Sequence, residues 1–121
     1  MLASYPDEMA VLYDGCPIGQ VVVSLRLPRK FFGEFTPGSG FEVCRPVFEE
    51  AARWSRQLDE TQSSEPVDYL AWDRWVAVLC RITDRIALPQ LPAGIEEFAV
   101  DHDLKVEITF ERAIAAPSAG P

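Results

Sequence analysis

Residues 104–111 read Leu104-Lys105-Val106-Glu107-Ile108-Thr109-Phe110-Glu111. Apolar and polar side chains alternate without a break, and a period of two over eight residues predicts a strand with one buried and one wet face. Upstream, Ile95–Val100 reads as its hairpin partner, with Phe98 and Val100 inward, and Asp101-His102-Asp103 supplies the turn. A second hairpin is expected over residues 9–28. Its first strand covers 9–13, Asp14-Gly15 is a hairpin-turn dipeptide, and 18–27 is its second strand. There Val21, Val23, Leu25 and Leu27 fall on one face and Gln20, Val22, Ser24 and Arg26 on the other, with Pro28 closing the strand.

Between the hairpins the period changes. Residues 46–59 carry Val47, Ala51, Trp54 and Leu58 at helical spacing, widened by Phe48 and Ala52, which predicts an amphipathic helix. Its start is open: Ser39 and Glu42 have capping-box spacing, yet Pro46 fits only the first turn. A polar stretch at 60–65 precedes a second helix, expected over 66–87 with Pro66 at its first position. Its apolar residues (Ala71, Trp72, Trp75, Val76, Val78, Leu79, Ile82, Ile86) cover more than one stripe, as a central helix requires. Residues 29–40 read as a loop from their Gly and Pro content, although they hold three of the seven phenylalanines. No internal repeat is visible.

The order ββααββ predicts an α+β domain over 1–112, with 113–121 as a flexible C-terminal tail. The expected architecture is a two-layer sandwich: a four-stranded antiparallel sheet with both helices on one face. The other face would present Gln20, Val22, Ser24, Arg26, Lys105, Glu107, Thr109 and Glu111 to water, which antiparallel sheets tolerate.

Composition limits the function. The chain has 121 residues and a net charge of -8, with a sequence pI near 4.5. Such a molecule is repelled by phosphate backbones and anionic lipid, so no direct nucleic-acid or membrane binding is expected and a basic partner suits it better. No apolar run approaches the ~18–20 residues of a membrane span. Cys16, Cys44 and Cys80 are odd in number, widely spaced and without a Cys-x-x-Cys pair, which argues against a disulfide framework and a structural zinc site. Residues 1–10 lack the basic and apolar regions of a secretory signal. A cytoplasmic location with reduced thiols is the expectation.

Candidate chemistry is sparse. His102, the one histidine, lies between Asp101 and Asp103; a metal or hydrolytic site there would need Glu96 or Glu97 as well, and a solvated turn is the simpler reading. Cys16 is expected exposed at a hairpin tip and Cys80 sits in an apolar helix. Cys44, beside Arg45 near a helix start, has the setting that lowers a thiol pKa, although small packing residues account for all three. Gly38-Ser39-Gly40 ahead of Arg45 is a minimal anion-site recipe, opposed by Glu42. Trp54, Trp72 and Trp75 occupy core-compatible helical positions.

Arg26, Arg29 and Lys30 followed by Phe31, Phe32 and Phe35 form the one basic, aromatic segment. Its rings either anchor a partner or fold back to seal the sheet, the commoner fate of loop phenylalanines. The expectation is a non-enzymatic acidic protein that binds another, basic protein, as an immunity-type toxin inhibitor or an assembly subunit, with no cofactor and no metal. Its contacts would come from Phe31, Phe32 and Phe35 with Glu96, Glu97, Asp101, Asp103, Glu107 and Glu111. A small metal-binding or hydrolytic domain built on Asp101-His102-Asp103 is the alternative. A homodimer through a sheet edge is a third reading.

Overall fold

A computed structural model describes residues 7–61, 69–91 and 94–114. Among these, the chain forms six strands and two α-helices: β1 Glu8–Tyr13, β2 Cys16–Leu27, β3 Lys30–Pro37, α1 Arg45–Thr61, α2 Tyr69–Thr83, β4 Ile86–Ala87, β5 Ile95–Val100 and β6 Lys105–Phe110. A short 3-10 helix, Ser39–Val43, leads into α1. The strands make one antiparallel sheet in the order β4-β1-β2-β3-β6-β5.

The α+β class holds, whereas the four-stranded sandwich is corrected to six strands curled nearly into a barrel. The end of α2 shows how far the sheet curls. Thr83 Oγ1 accepts the Phe98 N–H of edge strand β5, and three residues later Ile86 pairs with Tyr13 of β1, bringing β4 to the opposite edge. Both edges thus meet at one helix terminus. Ile86 and Ala87, expected to continue the helix, instead form β4: Arg85 closes a turn onto the Ile82 carbonyl, its own carbonyl accepts the Asp14 N–H, and its guanidinium pairs with Asp14.

The expected loop at 29–40 is the second correction. Residues 30–37 are β3, paired with β2 on one side and β6 on the other. Phe31, Gly33 and Phe35 face inward and are buried, while Phe32, Glu34 and Thr36 face outward. Gly33 is required by a close approach, since a Cβ there would collide with the Val22 carbonyl oxygen and crowd Val21. A glycine that reads as a loop signal is here a packing device. Gly33→Ala is expected to lower stability by about 1–3 kcal/mol, measured as a shift of the urea midpoint at unchanged m-value. Pro28 turns the chain rather than ending the sheet, and Asp14-Gly15 forms the β1–β2 turn as expected, with φ of 51° and 79°.

A bulge supplies the third correction. The β2–β3 register shifts between Val23 and Leu25. An extra residue in a strand turns its continuation over. Val21 and Val23 are therefore buried, but Leu25 and Leu27, expected beside them, lie outside at 51% and 46% exposure. Arg26 takes the register position opposite Phe31, with its guanidinium 5.8 Å from that ring's centroid, and remains exposed.

Inside the curl, Phe35, Phe41 and Phe48 pack with ring centroids 5.1–5.6 Å apart, and Phe31 meets Phe110 edge-on at 5.0 Å. α1 buries Phe48 and Ala51, and α2 buries Ala71, Val78, Leu79 and Ile82. The expected α1 core stripe holds, with its start one residue before Pro46; no side chain caps the preceding 3-10 helix, and Glu42 pairs with Arg45 instead of closing a capping box. Ile114, assigned to the tail, is buried and donates its N–H to the Pro28 carbonyl. The rest of that tail, residues 115–121, and the expected helix start at 66–68 lie outside the described residues.

Candidate functional site

His102 sits where the β5–β6 turn meets α1. Its Nδ1 lies 3.0 Å from Ser55 Oγ, and its Nε2 lies 3.1 Å from Asp59 Oδ2 and 3.6 Å from Asp103 Oδ2. The His102 backbone N–H also donates to Ser55 Oγ at 3.2 Å. One tautomer satisfies every contact: Nε2–H faces the carboxylates, Nδ1 accepts the Ser55 hydroxyl, and Ser55 Oγ accepts the backbone N–H. Ser, His and Asp side by side resemble the parts of a hydrolytic triad. Ser55 is 6% exposed, however, and a nucleophile needs open approach to its oxygen. These contacts tie α1 to the turn as a clasp.

The neighbours expected to complete a metal site do not converge on it. Glu96 and Glu97 lie roughly 15 Å back along β5. Glu96 pairs with Arg29 at 3.3 Å. Asp101 closes the turn, with Oδ1 accepting the N–H groups of Asp103 and Lys105 at 2.8 and 3.0 Å. Among the described residues, no group of three or more His, Cys, Asp and Glu side chains is placed to hold a metal ion.

The basic, aromatic segment is divided by its strand. Phe31 and Phe35 are 2% and 3% exposed and belong to the core, which removes them as anchors; Phe32 alone faces outward. The cations are paired within the molecule: Arg26 with Asp7 at 2.8 Å, Arg29 with Glu96, and Lys30 with Glu107 at 2.6 Å. Of the acids expected at an interface, Glu96 and Glu107 thus have cationic partners and Asp101 and Asp103 are tied to the turn. Glu97 lies on β5 opposite Thr109, and Glu111 follows β6, its N–H bonded to the Gly94 carbonyl.

Strand pairing assembles a surface that the sequence does not display. Across β5, β6, β3 and β2 the outward residues Ala99, Glu107, Phe32 and Leu25 stand in register. One neighbouring row is Glu97, Thr109, Lys30 and Leu27, and the other runs Lys105, Glu34, Val22 and Glu8. At the β5 end α2 forms a wall. Trp75 donates its indole N–H to the Val100 carbonyl at 3.1 Å, and Trp72, expected in the core, is half exposed and packs edge-on against Trp75 at 5.5 Å. Trp75, Phe32, Ala99, Asp101, Lys105, Val106 and Glu107 line a notch of about 160 Å³. Exposed apolar side chains thus stand at both ends of this face, Trp72 on the α2 wall and Leu25 and Leu27 on β2, with Phe32 between them beside the Lys30–Glu107 ion pair.

The remaining candidates fall away. Arg45 is occupied by Glu42 and Glu49, and its hydrogen bonds to Glu42 hold that carboxyl below its ordinary range, so Gly38-Ser39-Gly40 leads to no free cation. Cys44 is buried rather than activated: burial, with Cys16 nearby adding to it, pushes its thiol up to about 11. Cys16 is half-buried, and Cys80, expected within the apolar helix, is exposed. At pH 8, iodoacetamide followed by peptide mass spectrometry is expected to label Cys80 promptly and Cys44 only after unfolding. The same raised value means that the folded state holds its proton where the unfolded thiol has lost it. This contribution to stability is present below pH 9 and erodes between about pH 9 and 11.

Two N–H groups near the sheet edges have partners within the molecule. The Phe98 N–H is taken by Thr83, the Ala10 N–H by Gln90 Oε1, and β4 is two residues long. No helix among the described residues is long and apolar enough to cross a membrane. Comparison with protein-family models, curated proteins and solved structures finds no match.

Proposed function

We propose that this chain acts by binding another protein, a basic one, and not by catalysis. The observation that carries the reading is the outer sheet face, where Val22, Leu25 and Leu27 are 41–51% exposed beside Phe32 and the tryptophan wall. An apolar strip with a charged rim is the usual anatomy of a binding surface. The net charge of -8 supplies long-range attraction for a cationic partner and repels nucleic acid. An immunity-type inhibitor of a basic toxin and a subunit of a larger assembly both fit this chemistry. A cytoplasmic location accompanies either role in this proposal.

The test uses the full chain, tagged and exposed to lysate of its native host at low and at high salt. One basic protein retained at low salt, released at high salt and forming a one-to-one complex when purified is the expected result. Rescue of growth from that partner's toxicity would identify an inhibitor, and co-purification of a large complex an assembly subunit. Retention indifferent to salt, or of an acidic protein, would contradict the electrostatic part of the proposal.

A further inference from the structure

We propose that the notch between Trp75 and Phe32 receives an arginine side chain of the basic partner, whose flanking apolar residues lie along Leu25 and Leu27. The inference rests on the protein-binding reading and deepens it. Size is the first argument. About 160 Å³ holds roughly five waters and is well below the ~300–1,000 Å³ of a small-molecule site, so it suits one long side chain.

Chemistry is the second argument. Aromatic residues line two sides, and Trp75 is held in place by its bond to the Val100 carbonyl and by Trp72 against it. A planar guanidinium stacks on such rings and forms paired hydrogen bonds to carboxylates. Two acids, Asp101 and Glu107, and one cation, Lys105, are among the lining residues, and Lys30 pairs with Glu107 from outside the lining, so the attraction for a cationic side chain comes from the net charge of -8. Asp101 uses Oδ1 for the turn, and Glu107 uses Oε1 for Lys30, so each keeps a second oxygen for a guest. Continuity is the third argument. The register row runs from Ala99 at the notch through Glu107 to Phe32 and Leu25, so a segment anchored in the notch passes the Glu107 carboxylate and then meets two apolar side chains.

The probe is the peptide acetyl-Leu-Arg-Leu-Arg-Leu-amide, with its citrulline counterpart as the uncharged control, titrated into the ¹⁵N-labelled full chain. Saturable shifts are expected at the Trp75 indole N–H and at the Ala99, Phe32 and Leu25 amides. Affinity should fall about tenfold or more with citrulline, with Glu107→Gln and with Phe32→Ser. Both substitutions lie on the outer face, and an unchanged amide spectrum elsewhere verifies the fold. Equal binding of the citrulline peptide, or shifts confined to another surface, would overturn the assignment. Self-association abolished by Phe32→Ser would also overturn it, by giving the strip to a second copy. If a purified basic partner binds in a salt-sensitive manner but is indifferent to both variants, the notch fails while the protein-binding reading survives. If no basic protein binds the full chain, that reading fails as well.

Discussion

Phe31→Ala is expected to lower folding stability by about 3–5 kcal/mol, while Phe32→Ala, one residue along the same strand, costs under about 1.5 kcal/mol. Phe31 lies edge-on to Phe110 inside the curl, so its removal leaves a cavity in a core that cannot fully collapse around it. Phe32 faces outward and is half-buried, so its ring has solvent on one side already. Urea unfolding of both variants separates the two roles proposed for this segment. Partner binding should show the opposite order, with Phe32→Ala weakening it and folded Phe31→Ala retaining it. Equal stability losses would contradict the alternation assigned to β3.

Ser55→Ala carries the second large effect, about 2–3 kcal/mol. The substitution strands two groups at once, the His102 backbone N–H and the Nδ1 acceptor, next to a buried helix position. Leaving buried polar groups unsatisfied costs about 1–3 kcal/mol each, reduced here because the turn can move toward water. Ser55→Thr, which keeps the hydroxyl, should cost less than Ser55→Ala. Hydrogen exchange at His102 and Leu104 would report the loosened turn. A thermally unchanged Ser55→Ala would mean that the clasp contributes nothing to stability.

The hairpins and helix α1 were legible because each depends on local periodicity. The Asp14-Gly15 turn and the Phe48/Ala51 stripe survive in the structure as read, and the β6 alternation survives over Lys105–Phe110, with Leu104 left in the turn at a φ of 61°. What escaped depends on pairing. β3 carries a period of two in Phe31, Gly33 and Phe35, but Gly33 and the Pro37-Gly38 pair weigh toward a loop until β2 and β6 are seen on either side. Ile86 continues a helical spacing from Ile82, and only its contact with Tyr13 makes it a strand residue. The Ser24 bulge, which sends Leu25 and Leu27 outward, leaves no mark in the sequence because a one-residue insertion looks like continued alternation.

The candidate site follows the same division. The Asp101-His102-Asp103 turn was visible, but Ser55 and Asp59 reach it from another element, more than 40 residues away. The apolar strip likewise combines α2 with four strands, and no local pattern joins Trp75 to Phe32 or Leu25. Leu25 and Trp72, which sequence spacing assigned to the core, are exposed, and the binding surface proposed above is built around them.

In the proposal above, the outer sheet face is the working surface. It is tested most directly by comparing two full-length baits in the same host lysate at low and high salt: the native chain and a Leu25→Ser/Phe32→Ser double variant. The native chain is expected to retain one basic protein that high salt releases, and the folded double variant is expected not to retain it. Equal retention by both baits would contradict the account.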